Sequence, residues 1–253
     1  MNDEERADLV THLTELRTRL IRALVYVTLT MALAWIFFDP LYRFMVSPVR
    51  GPLEEFGGVL TVRMLLEGLL VKLEIVLVAG VILASPLITY EIWGFIAPGL
   101  TSSERRAARP LIPAAMLLFL AGVTLGYFLT GPAVRALLRF IPPETAALLT
   151  LNDTILLLLK FYLAFGLGFQ LPIVIVLLAK LGLVDSRLLV KRWREAVVAI
   201  FLMAAIITPT WDPFTLTIAA IPMVLLYMGT IAVVKLIERA DKKRRLREDN
   251  LAG

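Results

Sequence analysis

The sequence predicts an all-α, polytopic membrane protein: six transmembrane helices, kinked and tilted around a concave face, with both termini cytoplasmic. Three observations predict it. Of 253 residues 59% are hydrophobic and the mean hydropathy is +0.82, whereas a soluble domain averages roughly half apolar. The apolar residues are gathered into runs that approach the roughly 20 helical residues needed to cross about 30 Å of hydrocarbon. Finally, 19 of the 26 Lys and Arg residues fall in the N-tail, 96–109, 180–195 and the C-tail from 235. These segments alternate with the runs as positive-inside topology requires.

The spans follow in order. The first, about 20–38, carries no charge after Arg22. The second, 73–95, is clean between Glu74 and Glu91, and the third, 110–132, is uncharged throughout. The fourth, 154–180, is interrupted by Lys160, whose long side chain is expected to snorkel from near the start of the span. Residues 196–234 hold one charge, Asp212, within "TPTWDP". Two prolines and an Asp signal a turn, which divides the region into spans at 195–208 and 214–234. The fifth is short: about 12 apolar residues before Thr208, or about 18 Å at 1.5 Å each. The tail 235–253, with "KKRRLRED", is read as a solvated topology anchor.

Two connections lie on the outer side. In 39–72, "SPVRGPLEEFGG" reads as turn material and "VLTVRMLLEGLLVKL" as an amphipathic helix. The amphipathic 135–153 segment reads as a second interfacial helix, both covering the bundle. Composition excludes several kinds of chemistry. There is no cysteine and one histidine, His12, so thiol catalysis, disulfides and multi-histidine metal sites are ruled out and no cofactor is expected. The +5 charge is explained by topology and not by nucleic acid. The acidic "MNDEERADLV" start lacks the basic region and short apolar core of a cleavable signal peptide, so none is expected.

The polar residues near the spans are few. Gln170 lies mid-span before Pro172, where an amide needs a partner; that partner is either another helix of the bundle or a polar side chain of a second subunit. Glu91, about one turn from the inner end of span two, is expected to reach the interface near Arg105 or Arg106, with Trp93 and Phe95 as interfacial aromatics. Pro86, Pro113, Pro172 and Pro222 are expected to bend their spans. Glu15 precedes Arg19 by four residues, the favourable helical order. Ser102 or Ser103 can cap a helix with Glu104 in its first turn. A second reading stands beside these: two carboxylates on one cytoplasmic face, each next to an apolar entry, suit a basic and partly apolar peptide.

Four ordered stretches carry a resemblance: "HLTELRTRL", "SPLITYEIWGFIAPGLTSSERR", "FGLGFQLPIVIVLLAKLGLV" and "TPTWDPFTLTIAAIPM". From about residue 11 to 235 the chain resembles the TatC family, the multispanning receptor of the twin-arginine protein translocase. The resemblance implies a non-enzymatic receptor in the cytoplasmic (inner) membrane that binds twin-arginine signals of folded cargo. It also implies assembly with single-span TatA and TatB partners and further TatC copies, driven by the proton gradient.

Residue by residue, the resemblance implies that Glu15, Arg17, Phe95, Pro98, Glu104, Arg105 and Arg106 form the signal-peptide site. Pro48 and Asp212 match functionally sensitive outer-loop positions, and Gln170, where many members carry Glu, matches a position read here as docking a partner helix. Trp211 stands where a proline is common. Acids opposite an arginine pair make chemical sense, because guanidinium binds carboxylate in a two-pronged geometry that lysine cannot reproduce. Two other classes fit less well. A small-solute transporter would often show inverted repeats around a midplane site, and the chain shows no repeat; an intramembrane enzyme would need a nucleophile or metal motif, and none is present.

Overall fold

The computed structural model describes the backbone of residues 3–142, 145, 147–207 and 213–252, with the side chains of these apart from 3–11, 207, 241 and 244–252. Helix α1 (Asp3–Ile36) turns at Phe37 into α2 (Phe38–Glu55), and strand β1 (Val59–Thr61) leads to α3 (Glu67–Ile96). A 3-10 turn (Ala97–Gly99) and short α4 (Ser102–Ala108) precede α5 (Leu111–Leu138). Strand β2 (Leu148–Thr150) runs into α6 (Leu151–Gly168) and α7 (Leu171–Lys180). Short α8 (Ser186–Lys191), α9 (Trp193–Ile207) and α10 (Pro213–Ala252) complete the order. Among the described residues, five helical stretches are long and apolar enough to cross a membrane: His12–Ile36, Glu67–Gly99, Ser102–Leu138, Leu151–Lys180 and Pro213–Ala240. Helix α9 has 15 residues, the short "WRE" turn included, so it reaches only about 22 Å at 1.5 Å per residue.

The long helices pack because small residues let their backbones meet. Apolar side chains gain little by leaving lipid, so close contact must come from shape. At Gly122 of α5 a Cβ would lie 2.3 Å from the Phe165 carbonyl oxygen of α6, and Gly126, one turn on, faces Phe161. Phe161, Phe165, Ile155 and Leu158 of α6 are consequently buried at the centre of the core. Tyr162 satisfies its hydroxyl there by donating to the Met45 carbonyl of α2 at 2.9 Å. Helix α1 packs mainly along α3, and Thr30 donates to the Gly80 carbonyl at 2.8 Å. Most of the remaining surface of α1 is exposed leucine, valine and isoleucine, as expected of a helix bathed in lipid.

The outer cover differs from expectation. "SPVRGPLEEFGG" is not turn material through its length, because α2 continues to Glu55 with Pro48 and Pro52 inside it. It buries Met45, Val46, Val49 and Leu53 at helical spacing, mainly against α5, and this burial offsets the missing N–H groups of the prolines. The 59–73 stretch is not one helix either. Val59, Leu60 and Thr61 pair in parallel with Leu148, Leu149 and Thr150, and α3 begins only at Glu67. Likewise 135–138 is the last turn of α5, not a separate interfacial helix, and Pro142 stands just beyond it.

Glu67 explains the break. Its Oε2 accepts from the N–H of Arg63 at 2.6 Å and of Met64 at 3.3 Å, and its Oε1 from the N–H of Asn152 at 2.9 Å. It is 5% exposed and fastens both strands to the start of α3. Lys160, the tenth residue of α6, is exposed.

Pro172 does not bend a continuous helix. It stands at the start of α7, after a break at Phe169–Gln170. Pro113 falls in the first turn of α5, where no helical N–H is needed. Pro86 and Pro222 lie inside α3 and α10, and Pro132 inside α5 is a further interior proline.

Candidate functional site

The end of the bundle that carries α4 gathers most of the residues of interest. Helix α1 continues straight through "HLTELRTRL" and lies along the last turns of α3. His12 stacks on Phe95, with ring centroids 4.4 Å apart at 25°. One turn further, Glu15 Oε1 accepts from Arg19 Nη2 at 2.7 Å and Nε at 3.0 Å. The same guanidinium reaches across to α3, where its Nη1 donates to Glu91 Oε2 at 3.2 Å. Tyr26 donates to the other oxygen of Glu91 at 3.4 Å. Glu91 therefore meets Arg19, not Arg105 or Arg106, because its helix position faces α1. The i, i+4 spacing of Glu15 and Arg19 predicts their pairing, but nothing in the sequence points to the reach of Arg19 across to Glu91.

Glu104 is built by a different device. Thr101, not Ser102 or Ser103, is the N-cap of α4, with extended backbone at φ −62° and ψ 161°. Its hydroxyl accepts from the Glu104 N–H at 3.4 Å, while Glu104 Oε2 accepts from the Thr101 N–H at 2.8 Å. This reciprocal box satisfies two donors that a helix start leaves open. The Thr101 N–H, then its hydroxyl, hold the Glu104 carboxyl below its ordinary range. Glu15 and Glu104 each commit one oxygen internally. Among the described residues, Glu15 Oε2 and Glu104 Oε1 have no hydrogen-bond partner. Arg17, Arg105, Arg106 and Pro98 are exposed around them.

Between α3, α5 and the α6–α7 junction opens an apolar cavity of about 370 Å³, lined by Ser85, Trp93, Ile96, Phe119, Gln170 and Val174 among others. Its Trp93 and Ile96 flank Phe95 in sequence, so the groove begins next to the carboxylate end. Gln170 is the N-cap of α7, and its amide Nε2 donates to the Ala115 carbonyl of α5 at 3.0 Å. Of the two partners open to this amide, the structure supplies the one inside the bundle, which ties the helix break to α5. The side-chain Oε1 of Gln170 has no hydrogen-bond donor among the described residues.

The remaining two positions are not part of this end. Pro48 lies inside α2 with its carbonyl against Gly131 of α5. Asp212, with Trp211, lies outside the described residues. Two residues were missed by sequence reasoning: Thr101, the N-cap of α4, and Glu67, whose carboxylate accepts from the backbone N–H groups of Arg63, Met64 and Asn152. The T-x-x-E pattern of a capping box was readable at 101–104.

Fold and site together define a multi-pass α-helical membrane protein whose polar chemistry is concentrated at one end, beside an apolar lateral groove. Over residues 11–222 the sequence matches the family model of the Sec-independent protein translocase protein TatC, and the chain belongs to that family. A TatC of Deinococcus radiodurans is 38% identical over 224 residues, covering 87% of this chain and 83% of that one. One of Koribacter versatilis is 33% identical over 236 residues, covering 92% and 87%. A crystal structure of the twin-arginine translocase receptor TatC superposes with a TM-score of 0.76 at 32% identity, covering 89% of this chain and 98% of that one. A second, in DDM, gives 0.79 at 33%, covering 88% and 99%. The chain is thus a core component of the Sec-independent protein translocase, a non-enzymatic transport subunit.

Proposed function

We propose that this subunit is the signal receptor of its translocase, binding the arginine pair of a twin-arginine signal at Glu15 and Glu104. One observation carries the reading: both carboxylates stand at the same end of the bundle with one oxygen each outside the internal network. Arg17, Arg105 and Arg106 border the site, and Phe95 and Pro98 lead from it to the groove, which takes the apolar part of the signal. The α4 end is cytoplasmic, α9 counts as the sixth crossing despite its length, and both termini face the cytoplasm of a cell whose inner membrane the protein spans. The positions of Lys and Arg support this orientation. Single-span TatA and TatB subunits, and further copies of this chain, are the partners. Gln170 offers its carbonyl oxygen to one of their helices, and Pro48 and Asp212 serve the outer side. Transport draws on the proton gradient.

Exposed ion pairs contribute only up to about 1 kcal/mol each, so useful affinity needs both carboxylates and the groove. Glu15→Gln with Glu104→Gln should abolish crosslinking of a twin-arginine signal while leaving the protein inserted and folded, and wild-type crosslinking should weaken with salt. Unchanged crosslinking in the double variant would overturn the proposal.

A further inference from the structure

The Glu15 carboxylate that the proposed receptor site depends on is already occupied in the free protein. Two of the three guanidinium nitrogens of Arg19 lie on its Oε1, and the third holds Glu91. We infer that Arg19 is a resident competitor for the signal arginine and that Glu91 is where it parks when displaced, which makes both positioning residues that set how available Glu15 is. This inference rests on the receptor reading of Glu15.

Several observations assign the roles. The Arg19 and Glu15 side chains are 22% and 30% exposed, so an incoming peptide can reach the pair. The Glu91 side chain is 5% exposed, and its only cation among the described residues is Arg19. A buried carboxylate without its partner is costly, so Glu91 retains the guanidinium when Glu15 lets go. The lane between the two acids is kept open by Gly94. A Cβ there would stand 2.0 Å from Arg19 Nη1 and 2.6 Å from Cζ, so any larger residue would push the guanidinium off the surface of α3. Arg19 thus has a flat track with an acid at each end. Exchange at Glu15 replaces one guanidinium by another, and the net gain comes from the contacts the rest of the signal makes.

The test measures binding of two fluorescent synthetic peptides, one with an Arg-Arg pair before an apolar segment and one with Lys-Lys, to the purified full-length chain in nanodiscs. Arg19→Gln with Glu91→Gln removes competitor and parking site together, so no buried charge is stranded. An exposed ion pair corresponds to up to about fivefold in affinity, so the double variant should bind both peptides about two- to fivefold more tightly. The factor should be the same for both peptides, since releasing Arg19 is a common first step. Glu91→Gln alone, which keeps the competitor but removes its refuge, should bind both more weakly. A residue that only supports the fold cannot raise affinity when removed. Equal or weaker binding by the double variant overturns the inference, as does unchanged or tighter binding by Glu91→Gln. A changed Arg-to-Lys preference would also overturn it, because Arg19 would then contact the peptide itself. Glu15→Gln separates the two levels: if it has no effect, the receptor site is wrong. If it weakens binding while the double variant gains nothing, only the competitor role fails.

Discussion

Glu67 shows how much one carboxylate can organise. It lies at the first residue of a helical stretch of 33 residues, far longer than the hydrocarbon requires, so it sits outside the span proper. The Asn152 N–H, then that of Arg63, hold its carboxyl below the usual value of 4.5. A depressed folded-state value means that the stabilisation is complete above the usual range and is lost as pH falls through the lower folded value. Wild type should therefore melt higher than Glu67→Gln at pH 7, and the gap should close progressively below about pH 4.5. Melting curves in detergent between pH 7 and 3 check this; a gap that does not narrow as the pH falls below about 4.5 would show that the charge is not what holds the strands. No hydropathy pattern points to Glu67, because its partners are backbone groups up to 85 residues away. Thr101–Glu104 differs, since both members of that box lie three residues apart at one helix start. The Glu15–Arg19 pair was legible for the same reason, and Glu91 was misassigned because nothing local says which neighbour its face of α3 will meet.

At the scale of elements, the α6–α7 break is the feature that matters most. A proline read as a kink is a helix start, and the amide beside it is the strut. Membrane hydrogen bonds average about 0.6 kcal/mol and rarely exceed 1.7, so Gln170→Leu should destabilise the isolated chain by about 1 kcal/mol. Thermal stability in detergent reads that loss. If the carbonyl oxygen also serves a partner, crosslinking from α7 to the single-span subunits should fall in the same variant; an unchanged melting temperature would deny the strut. The helices themselves were readable from apolar run length, because lipid forces every backbone group to bond within its own segment. The cover was not. Short strands and a proline-containing helix at a water boundary are decided by tertiary pairing, as the ladder between 59–61 and 148–150 illustrates.

At the scale of the whole molecule, five helices among the described residues are long enough to span, and α9 as described is not. Hypothesis: the deficit, about 8 Å against 30 Å of hydrocarbon, thins the bilayer beside α9 and α10 and eases cargo passage. Inserting one helical turn after Ala205 should reduce export severalfold while leaving signal crosslinking intact. Normal export by that insertion, measured in cells, would remove α9 from the transport step.

The parallel ladder has a consequence for biosynthesis. Thr61 and its ladder partner Thr150 are 89 residues apart in sequence, and the whole of α3 through α5 lies between them. Val59–Thr61 therefore emerges first and waits, its N–H and C=O groups unpaired, until the chain has crossed the bilayer and returned. Only the second arrival of chain on that side gives it a neighbour, and Glu67 cannot complete its bonds until Asn152 follows. The ladder is a receipt for threading: its closure marks that α3, α4 and α5 have been laid down in order, and an inverted or skipped crossing would leave the first strand without a mate.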